Sequence, residues 1–457
     1  MGDAYDVVVV GAGTGGYSAA LRAAQLGKRV ALVERDDRLG GTCLLRGCIP
    51  TKALLRSAEV LDTVRRAEEW GIRASGEPDR EAIGAFRDRI VDKIVKGLAG
   101  LVRARGVEVV RGTARLAPGP AVEVDGRRLV AADVVIATGS RPKLLPGVSV
   151  GERVVTSDEA LRLPSIPASA VVIGAGAVGL EFASLYRSLG AEVTVLEALP
   201  RIAPLEDEDV SKELARAFRR RGIRTHAGAT VRSIEERPDG VEVAFEAGEA
   251  STVRADLCLV AVGRGPVTEG LGLEEVGVEL DRGFVKVDGQ LQTSVPHVWA
   301  VGDVAATPLQ LAHVAFTEGI AVAERIAGLE VPEIDYAGIP RVTYCSPEVA
   351  SVGLTEAQAA ERGIAVEVER LDLRGIGKAN IVGEGGIVKL VAERGGAVLG
   401  VHMVGPHVTD LISEGMLITN WEAAPAEVAA LIHPHPSLSE ALGEAHLALA
   451  GKPLHSP

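Results

Sequence analysis

The sequence predicts an α/β protein that carries one nucleotide-binding unit twice and ends in an α+β part. Three observations lead there. Residues 5–34 read as an apolar strand, a glycine turn, a helix and a second strand closed by an acid. Residues 170–197 repeat that succession. From residue 339 on, strand-like runs at 350–354, 386–392 and 398–404 precede helical stretches instead.

In the first unit Val7, Val8, Val9 and Val10 lead into Gly11, Gly13 and Gly16, and Val30 to Val33 end at Glu34. A lone G-x-G-x-x-G is a weak signal. The strand before it, the helix after it and the closing acid make a Rossmann-like dinucleotide fingerprint. The first glycine permits the turn, the second lets a pyrophosphate approach the backbone, and the third lets helix pack on strand. The helix N-terminus faces the phosphates, and Glu34 is placed to accept from a ribose diol. The second unit has Gly174, Gly176, Gly179 and Glu197 in the same places, 163 residues further on. Two ordinary βαβ turns would be the bland reading, and it is hard to sustain for both copies. Two units imply two dinucleotides, hence passage of electrons or hydride between them. Glu197 would repel a 2′-phosphate and favours NAD over NADP, although Arg187 and Arg201 lie near.

Nine residues after Glu34 comes Cys43, and Cys48 follows it within Gly40-Gly41-Thr42-Cys43 to Pro50-Thr51-Lys52. Three readings compete. A zinc site needs a second ligand pair, and none follows. Buried free thiols are common, but two beside a nucleotide unit would be a coincidence. A redox disulfide needs Cα atoms ~4.4–6.8 Å apart, whereas five residues of ideal helix separate them by about 8–9 Å. That reading requires the helix to break, and Gly47 is the residue that allows it. A disulfide over so short a loop adds little stability and is readily reduced.

The run G-G-T-C-x-x-x-x-C-x-P-x-K after an N-terminal fingerprint resembles the flavin-dependent pyridine nucleotide–disulfide oxidoreductases, and the resemblance runs from residue 5 to about 450. It implies FAD on the first unit and NAD on the second. Cys48 would be the charge-transfer thiol against the flavin and Cys43 the interchange thiol. FAD contacts are implied at Thr42, Lys52, Gly112, Thr138, Gly139, Ser140, Asp303, Ala312 and His313, beside Gly11, Gly13, Gly16 and Glu34. Lys52 is expected to pair with Glu181 near the flavin's reactive nitrogen, and Gly263 to contact the nicotinamide side. Each alone is a common strand end or solvated side chain; their order along the chain is what is specific. No metal site is expected.

The last informative stretch runs from His433-Pro434-His435-Pro436 to Ser437 and Glu440. Its prolines hold it extended and no third ligand is evident, which argues against a metal. Ser437 and Glu440 have capping-box spacing and predict a helix over 438–449. The resemblance implies that His435 takes and returns a thiol proton while Glu440 orients it. It also implies that His435 serves the partner subunit's cysteines, hence a homodimer.

Length and charge set the frame. The 457 residues suggest three or four domains: an FAD-binding domain over 1–145, an NAD-binding domain over 146–268, a central segment over 269–335 and an interface domain over 336–457. A net charge of −13 argues against nucleic acid and anionic membrane as partners. No apolar run approaches the ~18 residues of a span, acids stand at the N-terminus where a secretory signal has bases, and four cysteines cannot staple a chain of this size. A cytoplasmic protein is the expectation. A helix near 80–105 should bury Ile83, Phe86, Ile90, Ile94, Leu98 and Leu101. Cys258 reads as core, and no partner can be argued for Cys345.

Within the family, Glu197, the Cys48-Ile49-Pro50 run and the His-Pro-His-Pro-Ser-Leu-Ser-Glu ending point to the branch that oxidises dihydrolipoyl groups. Val178 stands where glutathione-reducing members carry a gating tyrosine, and the extra C-terminal cysteine pair of mercury-reducing members is missing. The implied reaction is oxidation of dihydrolipoamide to lipoamide with reduction of NAD⁺ to NADH, and lipoyl domains of a 2-oxo acid dehydrogenase complex are the implied source. An NAD(P)H-dependent reductase of another disulfide, a flavin NAD(P)H:quinone reductase or transhydrogenase, and a component kept chiefly for docking remain the alternatives. Three departures bear on substrate: Leu45-Arg46, the stretch from Arg264 to Val267, and a long run from Pro308 to His313. Arg46 either favours an anionic disulfide, steadies a thiolate, or merely faces solvent.

Overall fold

The computed structural model describes residues 3–455. The chain forms two compact units: one holds the chain up to Leu54, Asp79–Lys143 and Gly263–Tyr336, the other Leu55–Pro78, Leu144–Val262 and the chain from Ala337 on.

In the first unit a sheet runs in the order Glu108–Arg111, Val30–Glu34, Asp3–Val10, Arg127–Ile136, Ala121–Val124, Ala114–Ala117. The pairings among the first four are parallel. The last two pairings are antiparallel, and Val298–Ala300 adds in parallel beside Arg127–Ile136. All of Val30–Glu34 is buried, as expected for a parallel strand covered on both faces. The Thr14–Gln25 helix covers the sheet with Ala19, Ala20 and Ala23, small residues that let helix approach strand.

The Arg80–Ala104 helix forms where the apolar spacing places it, but with its buried face turned in part: Leu98 is buried as expected and Ile83, Phe86 and Ile90 are half-buried. Val91, Val95, Leu98 and Val102 are buried, while Ile94 and Leu101 are exposed. Two apolar stripes run along this helix, and its contact with the first-unit core selected the valine stripe. Periodicity alone could not rank them.

The second unit begins with a parallel sheet in the order Ile223–Ala227, Glu192–Glu197, Ser169–Ile173, Leu257–Val260, Val154–Val155. Cys258 lies fully buried in it. A three-stranded antiparallel sheet, Thr230–Arg237, Gly240–Ala247 and Glu249–Ala255, packs beside it. The third sheet is antiparallel: Arg341–Thr343, Glu348–Gly353, Val398–Gly405, Ile387–Glu393, Val366–Asp372. The architecture is thus α/β, with two Rossmann-like domains and a C-terminal α+β domain.

A polar row crosses that third sheet. Register places Arg341, Ser351, His402, Lys389 and Arg370 side by side. Arg341, Lys389 and Arg370 of this row pair with Glu206, Asp207 and Asp209 around the start of the Glu208–Arg220 helix. Lys389, 1% exposed, holds Asp207, Asp209 and Glu356 at 2.9, 2.8 and 2.7 Å. Buried charges persist when they are paired in this way.

The C-terminal helix is Glu440–Leu449, two residues shorter at its start than the capping-box spacing predicts. Glu440 does accept from Ser437 N–H at 2.7 Å, but the Ser437 hydroxyl turns to Ser439. Half the box forms, so the helix begins at the acid itself. Among the described residues no helix is long and apolar enough to cross a membrane.

Candidate active site

The two fingerprints fold alike because their glycines are required. Gly11 has φ +102° and Gly174 φ +100°, and a Cβ on either would meet a backbone oxygen at 2.4 Å. A Cβ on Gly16 or Gly179 would run into the oxygen of Gly11 or Gly174 at 1.8 or 1.9 Å. The middle glycines differ: Gly176 has nothing within 4 Å of such an atom, and Gly13 only Gly41 Cα at 3.9 Å. Gly13 and Gly176 are also N-caps of the two twelve-residue helices Thr14–Gln25 and Ala177–Ser188, and neither offers a side-chain cap or a first-turn acid. The Arg80–Ala104 and Glu208–Arg220 helices, by contrast, are capped by Asp79 and Asp207. Uncapped N–H groups over open space suit an anionic pyrophosphate.

Each closing acid is buried and braced. Glu34 accepts from Ala12 N–H and Asp36 N–H at 2.8 and 2.9 Å. Glu197 accepts from Ala175 N–H and Leu199 N–H at 2.6 and 2.8 Å. A carboxylate has about four acceptor sites, so each retains capacity for a diol. Arg187 and Arg201 point to carbonyl oxygens of Arg221, Ala191, Pro204 and Glu206. The residues present therefore fit two dinucleotides, the second without a 2′-phosphate. Val178 is exposed on the first turn of its helix.

The cysteine segment breaks where the sequence requires. The Gly41–Arg46 helix ends at Gly47, at φ −146° and ψ −110°, and the Cys48–Arg66 helix restarts at once. A Cβ on Gly47 would stand 2.9 Å from Thr42 O. The break brings the Cys43 and Cys48 thiols into hydrogen-bond contact. Both are half-buried, and no disulfide joins them here. The bond to Cys48 and burial push Cys43 up, and Lys52 pulls it down. Burial, together with the two thiols, also raises Tyr17.

The other residues of the first unit gather on strand ends and turns. Thr138 donates to Val267 O at 2.7 Å, and Gly139, at φ +72°, accepts from Val267 N–H. Ser140 donates to Asp303 Oδ2 at 2.5 Å. Asp303 lies in the Gly302–Val304 turn, and Ala312 and His313 open the Ala312–Ile326 helix. Gly112, at φ +139°, donates its N–H to Glu34 O. Gly263 falls in this unit as well, apart from Gly174, Gly176, Gly179, Glu181 and Glu197, because Arg264–Pro266 pairs with Ser140–Pro142.

Two contributors, Arg264 and Glu318, were not legible as such, and Arg46 takes a partner that none of its three readings named. Arg264, next to a residue expected on the nicotinamide side, donates to Ser140 Oγ and Ser140 O at 2.7 and 2.8 Å and reaches Thr42 at 3.5 Å. Glu318, fully buried, accepts from Gly302 N–H at 2.6 Å and Tyr336 Oη at 2.8 Å, and so sets the turn that carries Asp303. Burial raises its carboxyl despite those donors. An acid on the buried face of an otherwise apolar helix was the available signal. Arg46 is engaged by Asp36, beside the Glu34 turn.

In the second unit His435 Nδ1 lies 2.6 Å from Glu440 Oε1; the imidazole is 78% exposed and the carboxylate 21%. Burial pushes Glu440 up, but Ser437 N–H and His435 outweigh it and hold it below the usual carboxylate range. A second pair, His433 with Glu414 at 2.7 Å, lies in the same segment, and Glu414 raises His433. Among the described residues no group of three or more His, Cys, Asp or Glu could hold a metal ion.

Comparison with known proteins agrees with this geometry. Residues 5–319 match the pyridine nucleotide-disulphide oxidoreductase model and residues 339–446 its dimerisation domain. A dihydrolipoyl dehydrogenase of Bacillus subtilis is 43% identical over the whole of both chains. One from Thermus scotoductus is 43% identical over 99% of this chain and 98% of its own. The crystal structure of LpdA from Mycobacterium tuberculosis superposes with a TM-score of 0.90 at 29% identity, covering 98% of this chain and 99% of that one. The chain belongs to the pyridine nucleotide-disulphide oxidoreductase family.

Proposed function

We propose that this protein oxidises dihydrolipoyl groups to the cyclic disulfide and reduces NAD⁺ to NADH. The observation that carries it is the pair of thiols brought together at the Gly47 break, in the unit whose first glycine turn is open to a dinucleotide. The whole-length likeness to dihydrolipoyl dehydrogenases supports the substrate class.

The cofactors are FAD and NAD. FAD would be held by Gly11, Gly13, Gly16 and Glu34, with Thr42, Lys52, Gly112, Thr138, Gly139, Ser140, Asp303, Ala312 and His313 around it. NAD would be held by Gly174, Gly176, Gly179, Glu181 and Glu197. FAD, when bound, carries the electron pair from the enzyme dithiol to NAD⁺, which receives it as hydride.

The chain's own residues handle the sulfur and the protons. His435 takes the proton of one substrate thiol, and the thiolate attacks Cys43 of the Cys43–Cys48 disulfide. That bond breaks, and Cys48 leaves as thiolate. The second substrate sulfur then attacks the first, closes the product disulfide and releases Cys43. Of the two substrate protons, one rests on His435 and one on Cys43. The upward push on Cys43 from Cys48 and burial keeps that proton in place. Glu440 holds Nδ1 of His435, which turns Nε2 outward and stabilises the imidazolium. The largely exposed imidazole suits service to another subunit: His435 of one chain would act on Cys43 of the other. The chain carries the family's dimerisation domain and forms a homodimer. Lipoyl domains of a 2-oxo acid dehydrogenase complex are the proposed donors, in the cytoplasm.

The test is turnover of the purified flavoprotein with NAD⁺ or NADP⁺ against dihydrolipoamide, reduced glutathione and reduced coenzyme A. Dihydrolipoamide with NAD⁺ should dominate. Comparable rates with glutathione, or with no dithiol requirement at all, would move the reading to another disulfide or to a quinone.

A further inference from the structure

Glu181 is a buried carboxylate, 5% exposed, on the Ala177–Ser188 helix. Ser184 and Ser188 follow it at i+3 and i+7, on the same face. Residues 344–346 run along that face. Tyr344 N–H donates to Glu181 Oε1 at 3.0 Å, and Ser346 N–H donates to Ser184 Oγ at 2.9 Å. Alternate N–H groups of the bend between two strands thus grip two side chains one helical turn apart.

A single guanidinium closes this clamp. Arg221, just beyond the Glu208–Arg220 helix, places Nη1 at 2.6 Å from Ser184 Oγ and 2.7 Å from Ser346 O. Its Nη2 lies 2.7 Å from Ser188 Oγ and 3.3 Å from Asp62 Oδ2. Ser188 Oγ donates to the same Asp62 oxygen at 2.5 Å. One planar fork therefore serves four acceptors, which an ammonium cannot do with the same geometry. Between the two gripping residues Cys345 is buried, and burial and Glu181 keep its thiol neutral.

We propose that Arg221 is a positioning residue for the NAD-linked half of the reaction: through Ser184 and residues 344–346 it fixes the orientation of the Glu181 carboxylate. The inference rests on the reading above that Glu181 serves the nicotinamide side. Without the guanidinium, Ser346 O and the Ser188–Asp62 pair lose their donor, residues 344–346 relax, and Glu181 Oε1 loses one of the contacts that set its rotamer. Small misplacements of this kind cost rate out of proportion to stability.

The experiment compares Arg221→Met, Arg221→Lys and Ser184→Ala holoenzymes with the wild type. Stopped-flow absorbance follows reduction by dihydrolipoamide and reoxidation by NAD⁺ separately, and hydrogen exchange follows the amides of Tyr344 and Ser346. In Arg221→Met and Ser184→Ala, reoxidation should fall about tenfold with reduction by dithiol unchanged, and both amides should exchange faster. Arg221→Lys should fall between. Unchanged half-reactions, or a parallel loss of both that tracks flavin content and melting temperature, would overturn the proposal. If Arg221→Met does not fold, Ser184→Ala decides alone. Reduction by NADH needs no dithiol. A wild type inert toward dihydrolipoamide would therefore sink the substrate reading, while the NADH comparison still judged the clamp.

Discussion

Glu34 and Glu197 brace the two glycine turns in the same way. Each accepts one N–H from the residue after the first glycine, Ala12 or Ala175, and one from two residues beyond itself, Asp36 or Leu199. The acid that should read a ribose is also a structural tie of its own turn, so its substitution has two separable effects. Glu197→Ala is expected to strand the Ala175 N–H and lower stability by about 1–3 kcal/mol. It should also raise KM for NAD⁺. Denaturant midpoints read the first effect and steady-state kinetics with NAD⁺ and NADP⁺ the second; a variant with wild-type KM would remove Glu197 from the nucleotide site.

Cys43→Ser and Cys48→Ser should each abolish dithiol-driven NAD⁺ reduction by several orders of magnitude, since residues that act as a unit fail together. Gly47→Ala tests the break itself. Its Cβ would press on Thr42 O at 2.9 Å, so thiol–disulfide exchange should slow and stability should drop by about 1–3 kcal/mol. Thiol titration before and after one turnover checks all three.

The His435–Glu440 pair predicts an ordered loss. His435→Gln should lower kcat/KM for dihydrolipoamide by about 10²–10⁴, and Glu440→Gln should lower it less. The depressed Glu440 carboxyl keeps its charge into acid: its contribution is present above the unfolded carboxylate pKa and lost only as pH falls through the lower folded value. A full pH–rate profile of both variants measures this; equal, small losses would argue against an acid–base role.

Lys389 and Asp207 have side chains only 2% exposed. Lys389→Met should destabilise the fold by about 3–5 kcal/mol, because it leaves acids buried without their partner. Urea unfolding of holoenzyme reads the change, and a loss below ~1 kcal/mol would show that the acids find other partners.

His402 adds a pH signature. It is fully buried, Nε2 contacts Leu354 O, and burial lowers its pKa although Asp207 and Glu206 oppose and Arg341 assists. A folded value below the unfolded ~6.5 means no effect above that pH. Stability then falls as pH drops from about 6.5 toward the folded value, because only the unfolded chain takes up the proton. His402→Gln should flatten that slope between pH 7.5 and 5; an unchanged slope would assign it to other groups.

Much of this was legible in the chain. The spacing of glycines and acids determined two dinucleotide units, since a positive φ at Gly11 and the missing Cβ at Gly16 are local demands that no other residue meets. The five-residue interval between the cysteines, read as a redox pair, called for a helix break at Gly47, because disulfide geometry and helix geometry are incompatible over that distance. Only the tertiary structure decided which stripe of the Arg80–Ala104 helix is buried, where the C-terminal helix begins, that Gly263 and Arg264 return to the first unit, that Arg221 is a half-buried hub and that Lys389 is a buried one. Each depends on partners brought from far along the chain. A guanidinium or ammonium reads as surface until the fold supplies the acceptors that let it be buried.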